Sequence, residues 1–168
     1  KHTIYFCTRG GEEEGLWGST KWVDKHQTML AENLRLYVNL DMNHVDVERN
    51  SGVTLFGNNK ADIDLIKGIT SVFSSAYPEL ADKYPISIHK HSSTAMPYNS
   101  DHAPFVYNLD DDEGSDKDYG RAIVCYGSGS SEYHTYLDTM DRFNEESLMV
   151  SGIIYGSLVR YLAYGEAQ

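Results

Sequence analysis

Positive charge is scarce in this chain: 14 Lys and Arg stand against 25 Asp and Glu in 168 residues, a formal net charge of −11. Binding along a phosphate backbone needs the opposite balance, so nucleic acid is excluded as a partner. Long apolar runs are also missing. Nothing approaches the ~18 consecutive apolar residues of a membrane span, and no cleavable signal pattern stands in front of the first strand. Only two cysteines occur, Cys7 and Cys125, each inside an apolar run of the kind a buried strand shows. They are expected to be inert core thiols, and they indicate no redox compartment. No internal repeat and no linker divides the sequence. A chain of 168 residues, 40% of them apolar, can bury a core without help from disulfides or a metal. Residues 1–168 therefore read as one domain or a large piece of one.

Strands alternate with helices, the pattern of a sheet between helical layers. Thr3-Ile4-Tyr5-Phe6-Cys7 is apolar on both faces, as a covered central strand would be. Because the chain opens inside that strand, further chain is expected upstream. The strand runs into a polar turn, Gly10-Gly11-Glu12-Glu13-Glu14-Gly15, and Leu16, Thr20 and Val23 then mark a helix that Gly18-Ser19 would let approach the sheet. Leu34 to Met42 alternates as a strand with Asp41 at its C-terminal end, and Val53 to Phe56 is a short strand. Gly57-Asn58-Asn59 leads to a long helix with Ile66, Ile69 and Phe73 on one face, and Ile86 to His89 is a further strand.

The second half continues with the polar stretch Ser92 to His102 and an apolar patch at Phe105-Val106-Tyr107. The acidic stretch Asp110 to Asp118 lacks the spacing of an EF-hand and reads as a solvated loop. Ala122 to Tyr126 is a buried strand followed by Gly127-Ser128-Gly129-Ser130-Ser131. The closing helix is capped by Asn144, has Glu145 and Glu146 in its first turn, and is expected to bury Val150, Ile153, Ile154, Ser157, Leu158 and Tyr161. Trp17 and Trp22, at helical positions, read as packing residues.

Ligands in open α/β sheets bind where strands end and loops begin. Glu12 and Glu13, Asp41 and His134 all fall at such places, and two kinds of carboxylate plus an imidazole form a donor set suited to zinc. Singly, each has a plain reading as surface charge, turn cap or structural histidine.

Four strings decide between these. Gly11-Glu12-Glu13-Glu14-Gly15-Leu16-Trp17-Gly18-Ser19 resembles the G-x-E-E-x-G-L-x-G-S region of the co-catalytic dizinc aminopeptidases, the leucyl, cystinyl and glutamate-carboxypeptidase-like exopeptidases, with the residue between the first Gly and the Glu pair absent. Asn39-Leu40-Asp41-Met42 resembles their N-L-D-M strand end. Ser100-Asp101-His102-Ala103-Pro104-Phe105 is similar to their S-D-H-x-x-F, and Tyr133-His134-Thr135 with Asp138-Thr139 to their Y-H-T-x-x-D-T. The order is the family's, and the likeness runs from Thr3 to Ala163.

The resemblance implies a three-layer α/β/α fold with a mixed, mostly parallel sheet, of the phosphorylase/hydrolase-like zinc exopeptidase type. It implies that residues 1–168 are the C-terminal portion of a catalytic domain truncated at its N-terminus. By the same resemblance Glu12 is the general base, Glu13 and His134 bind one zinc, Asp41 binds the second, and Tyr133 donates to the oxyanion. Asp101, His102 and Asp138 support the site without binding metal. The family's H-x-D histidine and bridging aspartate have no counterpart before Glu12, so at most a partial zinc site is expected in this chain. The activity implied is hydrolysis of an N-terminal peptide bond. Glutamyl carboxypeptidase or dipeptidase action and a catalytically silent interaction domain are the alternatives. The expected partners are a peptide substrate and, through the surface left by truncation, a second copy or the upstream part. Relatives are mainly secreted, periplasmic, vacuolar or membrane-tethered, which leaves the compartment open.

Overall fold

The computed structural model describes residues 2–43, 52–109, 120–127 and 132–164. The acidic stretch 110–118 and residues 128–131 of the glycine-serine loop lie outside them. Four strands form the sheet: β1 (Tyr37–Asp41), β2 (Val53–Gly57), β3 (Ile86–Lys90) and β4 (Ala122–Gly127). The helices are α1 (Trp17–Asn33), α2 (Lys60–Ala76), α3 (Pro78–Lys83), α4 (His102–Tyr107) and α5 (Glu145–Tyr164). Strand order is β1-β4-β2-β3. The pairs β1–β4 and β2–β3 are parallel and β2–β4 is antiparallel, so the sheet is mixed and mostly parallel.

Strand alternation sorts the apolar side chains onto two faces. Val53 and Leu55 of β2, with Ile123 and Cys125 of β4, pack under Ile66 and Phe73 of α2 and Val150, Ile154 and Leu158 of α5. Phe56, Ala122 and Val124 face the other way, toward Met96 and Val106. Beside them Val23 and Leu30 of α1 meet Phe105 of α4. Helices thus cover both faces, giving the expected three layers. The apolar patch at Phe105 to Tyr107 is the helix α4.

Local capping explains the helix starts. The Asn59 side chain accepts from the backbone N–H of Ala61 and Asp62, and that of Asn144 from Ser147. Asp62, 1% exposed, receives two hydrogen bonds from Arg121 at 2.7 and 2.8 Å and one from Arg35 at 3.2 Å. This ties α2 to the approaches of β1 and β4.

Three expectations are corrected here. Thr3 to Cys7 is not a sheet strand: Ile4, Tyr5 and Phe6 are exposed, Phe6 to 87%, and Cys7 is exposed, leaving Cys125 alone as a core thiol. A strand apolar on both faces is stable only between neighbours that satisfy its backbone, and the described residues supply none. The segment instead lies along α5, where the His2 N–H donates to the Ala163 carbonyl. On α5, Ser157 and Tyr161 are exposed, because the buried stripe follows Val150, Ile154 and Leu158 at i, i+4 and i+8. Trp17, 60% exposed, does not pack in the core.

The register places the site. Asp41 pairs with Tyr126, so the C-terminal ends of β1 and β4 share one rim, while Gly57 and Lys90 end at the opposite rim beside Ile123. After β3 the chain crosses the sheet: His91 bonds to Gly57, Met96 packs on Phe56 and Val124, and Ser100 arrives at Asp41.

Candidate active site

Glu12 sits on a turn that the start of α1 holds in place. The N–H groups of Gly15 and Leu16 donate to the Glu12 carbonyl at 3.1 and 2.9 Å, that of Trp17 to Gly11, and that of Gly18 to Gly10. A Cβ on Gly18 would stand 2.5 Å from the Gly10 carbonyl oxygen, so the close approach expected toward the sheet is made to this turn instead.

Backbone strain gathers at the same place. Among the described residues, positive φ outside glycine occurs at Leu16 (59°), Met42 (51°) and His134 (60°). Leu16 closes the Glu12 turn, Met42 follows Asp41, and His134 is itself a candidate ligand. Such conformations cost on the order of 1 kcal/mol each and persist where the surroundings over-determine them, as at binding and catalytic sites.

The structure brings Glu13, His134 and Tyr133 together at one position and holds Asp41 at a second. His134 Nε2 stands 2.6 Å from Glu13 Oε1, across 121 residues of sequence. Tyr133 stacks on the His134 ring with centroids 3.7 Å apart. At the second position, Asp41 Oδ2 accepts from the Ser100 hydroxyl at 2.6 Å, and Ser100 Oγ in turn accepts from the Asn39 amide at 2.8 Å. Ser100 and Asn39 are buried, so the Asp41 carboxylate is held by a polar chain anchored in the interior. Neither residue was given a role from sequence, although both lie inside the strings that carry the resemblance. Glu12 sits between these features electrostatically. Burial raises its carboxyl pKa above the usual range, the charges of Glu13, Asp41 and Asp101 add to the rise, and His134 opposes it. A carboxylate whose pKa is pushed upward by burial and by neighbouring carboxylates is a stronger base than a free one.

The supporting residues divide. His102 is fully buried, and its Nε2–H donates to the Pro97 carbonyl at 2.7 Å, which holds the loop leading to Ser100. Burial lowers its pKa to about 4. Between the usual value of about 6.5 and that value the unfolded chain takes up a proton that the folded chain refuses, so stability falls as pH drops through this window. This group alone is expected to make the fold roughly 2–3 kcal/mol less stable at pH 4.5 than at pH 7.5. Urea titrations at the two pH values check this, and His102→Gln should lose that share of the difference. Asp101 flanks Glu12. Asp138 is exposed, and its N–H donates to the Thr135 carbonyl within the turn that carries His134.

Two carboxylates and an imidazole fit the ligand chemistry of zinc, and Glu13 and His134 stand side by side. Their 2.6 Å contact is a hydrogen bond, and the same two side chains would hold a zinc ion in its place. Among the described residues no three His, Cys, Asp or Glu side chains close around one point. The fit is thus of two incomplete positions, Glu13 with His134 and Asp41 alone. If Asp41 holds metal, Ser100→Ala is expected to weaken zinc affinity of the full-length protein about ten- to a hundredfold by freeing that carboxylate. A competitive zinc titration reads the effect, and an unchanged affinity would remove Asp41 from the ligand set.

A mixed sheet between helical layers, with carboxylates and a histidine gathered at one strand rim, defines an α/β domain whose candidate site lies at the strand ends. More specifically, the chain belongs to peptidase family M28, whose model matches residues 1–158. It is similar in structure to LapA of Legionella pneumophila, with a TM-score of 0.59 and 21% identity over 92% of this chain and 39% of that one. It is similar also to the aminopeptidase of Aneurinibacillus sp. strain AM-1, with a TM-score of 0.55 and 23% identity over 92% of this chain and 32% of that one. The chain therefore spans between about a third and two fifths of the length of these structures. No curated protein matches it.

Proposed function

We propose that the protein containing this chain is a zinc-dependent aminopeptidase, with Glu13 and His134 holding one metal ion, Asp41 contributing to a second, and Glu12 serving as the proton-transferring base. The observation that carries the reading is the gathering of Glu12 with the Glu13–His134 and Asp41–Ser100 pairs at one rim. When bound, zinc supplies Lewis acidity and lowers the pKa of water. Glu12 takes a proton from the attacking water and returns it to the leaving amine, a transfer that its raised pKa favours. Tyr133, stacked on His134, would donate to the developing oxyanion. The surplus of carboxylates suits a substrate that presents a free α-ammonium group.

Recognition of a substrate carboxylate, which glutamyl carboxypeptidase action requires, has little support in the arginines near the site. Arg121 is bonded to Asp62 at the opposite rim, and Arg9 lies against aromatic rings. The exposed Ile4-Tyr5-Phe6 tract supports pairing with a second copy or with upstream chain. No described helix is long and apolar enough to cross a membrane. The discriminating experiment gives the full-length protein amino-acyl anilides with a free or an acetylated α-amine, and N-acetylated dipeptides that end in a free glutamate. Release from the free-amine substrate only, lost on chelation and restored by zinc, is expected. Cleavage of N-blocked glutamyl substrates would favour the carboxypeptidase reading, and no release from any of them the silent domain.

A further inference from the structure

Beyond Asp41 the chain leaves β1 through Met42, whose φ of 51° lies in the left-handed region, and reaches Asn43. The Asn43 carbonyl accepts from the Ser151 hydroxyl of α5 at 2.6 Å, across 108 residues of sequence. Ser151 is 1% exposed, and no step assigned above uses it. Its bond differs from those of other hydroxyls on the helices. Ser19, Thr70, Ser75 and Ser147 donate to carbonyls three or four residues back, the ordinary outlet for such a group within a helix. Ser151, one turn after Ser147, reaches across to the end of a strand instead. α5 is a fixed point from which to hold that corner, because Val150, Ile154 and Leu158 pack it against β2 and β4.

Asp41 is thus restrained in three ways: by the ladder opposite Tyr126, by Ser100 at its carboxylate, and by Ser151 at the corner its backbone enters. A left-handed Met42 persists where its surroundings enforce it. If the corner relaxes, the chain direction after Asp41 changes and the carboxylate moves with it. We propose that Ser151 is a positioning residue for the metal position at Asp41: its hydroxyl ties the Met42 corner to α5 and so fixes the direction of the Asp41 carboxylate. The zinc part of this assignment rests on the aminopeptidase reading, whereas the tether does not.

The test uses the full-length protein with Ser151→Ala, Ser151→Val and Ser151→Thr. Valine and threonine are both branched at Cβ and close in shape, so that pair of variants differs chiefly in the hydroxyl. In a competitive zinc titration Ser151→Ala and Ser151→Val weaken binding of the ion at Asp41 roughly tenfold, the lower end of the range for groups that orient a metal ligand. The ion at Glu13 and His134 keeps its affinity, and Ser151→Thr stays within about twofold of the wild type. In the metal-free protein Ser151→Ala speeds amide hydrogen exchange at residues 37–43 and leaves that of α2 unchanged. A lowered Tm with zinc affinity unchanged makes Ser151 structural only and overturns the assignment, as does Ser151→Thr binding no more tightly than Ser151→Val. A wild-type protein without zinc overturns the aminopeptidase reading and the zinc part together. Amide exchange then decides the tether by itself, and an unchanged rate at residues 37–43 overturns it.

Discussion

Glu12→Gln in the full-length protein is expected to keep its zinc and lose about a hundred- to ten-thousandfold in turnover, the range for removing a positioned general base. The amide keeps the shape of the side chain but cannot accept the proton from water. The backbone bonds that build the turn run to the Glu12 carbonyl, so the substitution leaves them in place. Stability should rise slightly if it changes at all, since a carboxylate crowded by Glu13, Asp41 and Asp101 is replaced by a neutral group. Steady-state kinetics with metal analysis of the same sample check this. Unchanged turnover would remove Glu12 as base, and lost zinc would make it a ligand.

The largest effect on stability is expected away from the rim. Asp62 is buried at the first turn of α2, with Arg121 bonded to both of its oxygens and Arg35 to one. Asp62→Ala leaves the partly buried Arg121 without its counter-charge and should cost about 3–5 kcal/mol. That is a large share of the 5–15 kcal/mol that usually separates folded from unfolded domains. A urea titration measures it. A loss below about 1 kcal/mol would mean that water replaces the pair at little cost. Because Asp62 lies at the opposite rim from Asp41, zinc affinity of the folded protein should not change.

Apolar periodicity made the layered fold legible. The stripe on α2, the alternation of β2 and β4 and the Asn144 cap follow from neighbouring residues, and they stand where the sequence puts them. Thr3 to Cys7 shows the limit of that reasoning. Its composition is that of a central strand, but strand formation is a property of a pair, and the described residues offer it no neighbour. Asp41 and His134 were readable from motif strings. The chain from Asn39 through Ser100 to Asp41 was not, because its hydrogen bonds join residues about 60 apart and depend on the crossing of the sheet after β3. Gly18 was read correctly as a point of close approach and wrongly as to what it approaches, since the spacing of a helix does not say which neighbour its small residue meets.

Zinc content of the full-length protein, measured for the wild type and for Glu13→Gln, Asp41→Asn and His134→Asn, tests the central claim most directly. The site described here predicts bound zinc in the wild type, loss of one ion from both Glu13→Gln and His134→Asn, and weakened binding of the other in Asp41→Asn. A wild-type protein without zinc, or zinc content that none of the three substitutions changes, would contradict it.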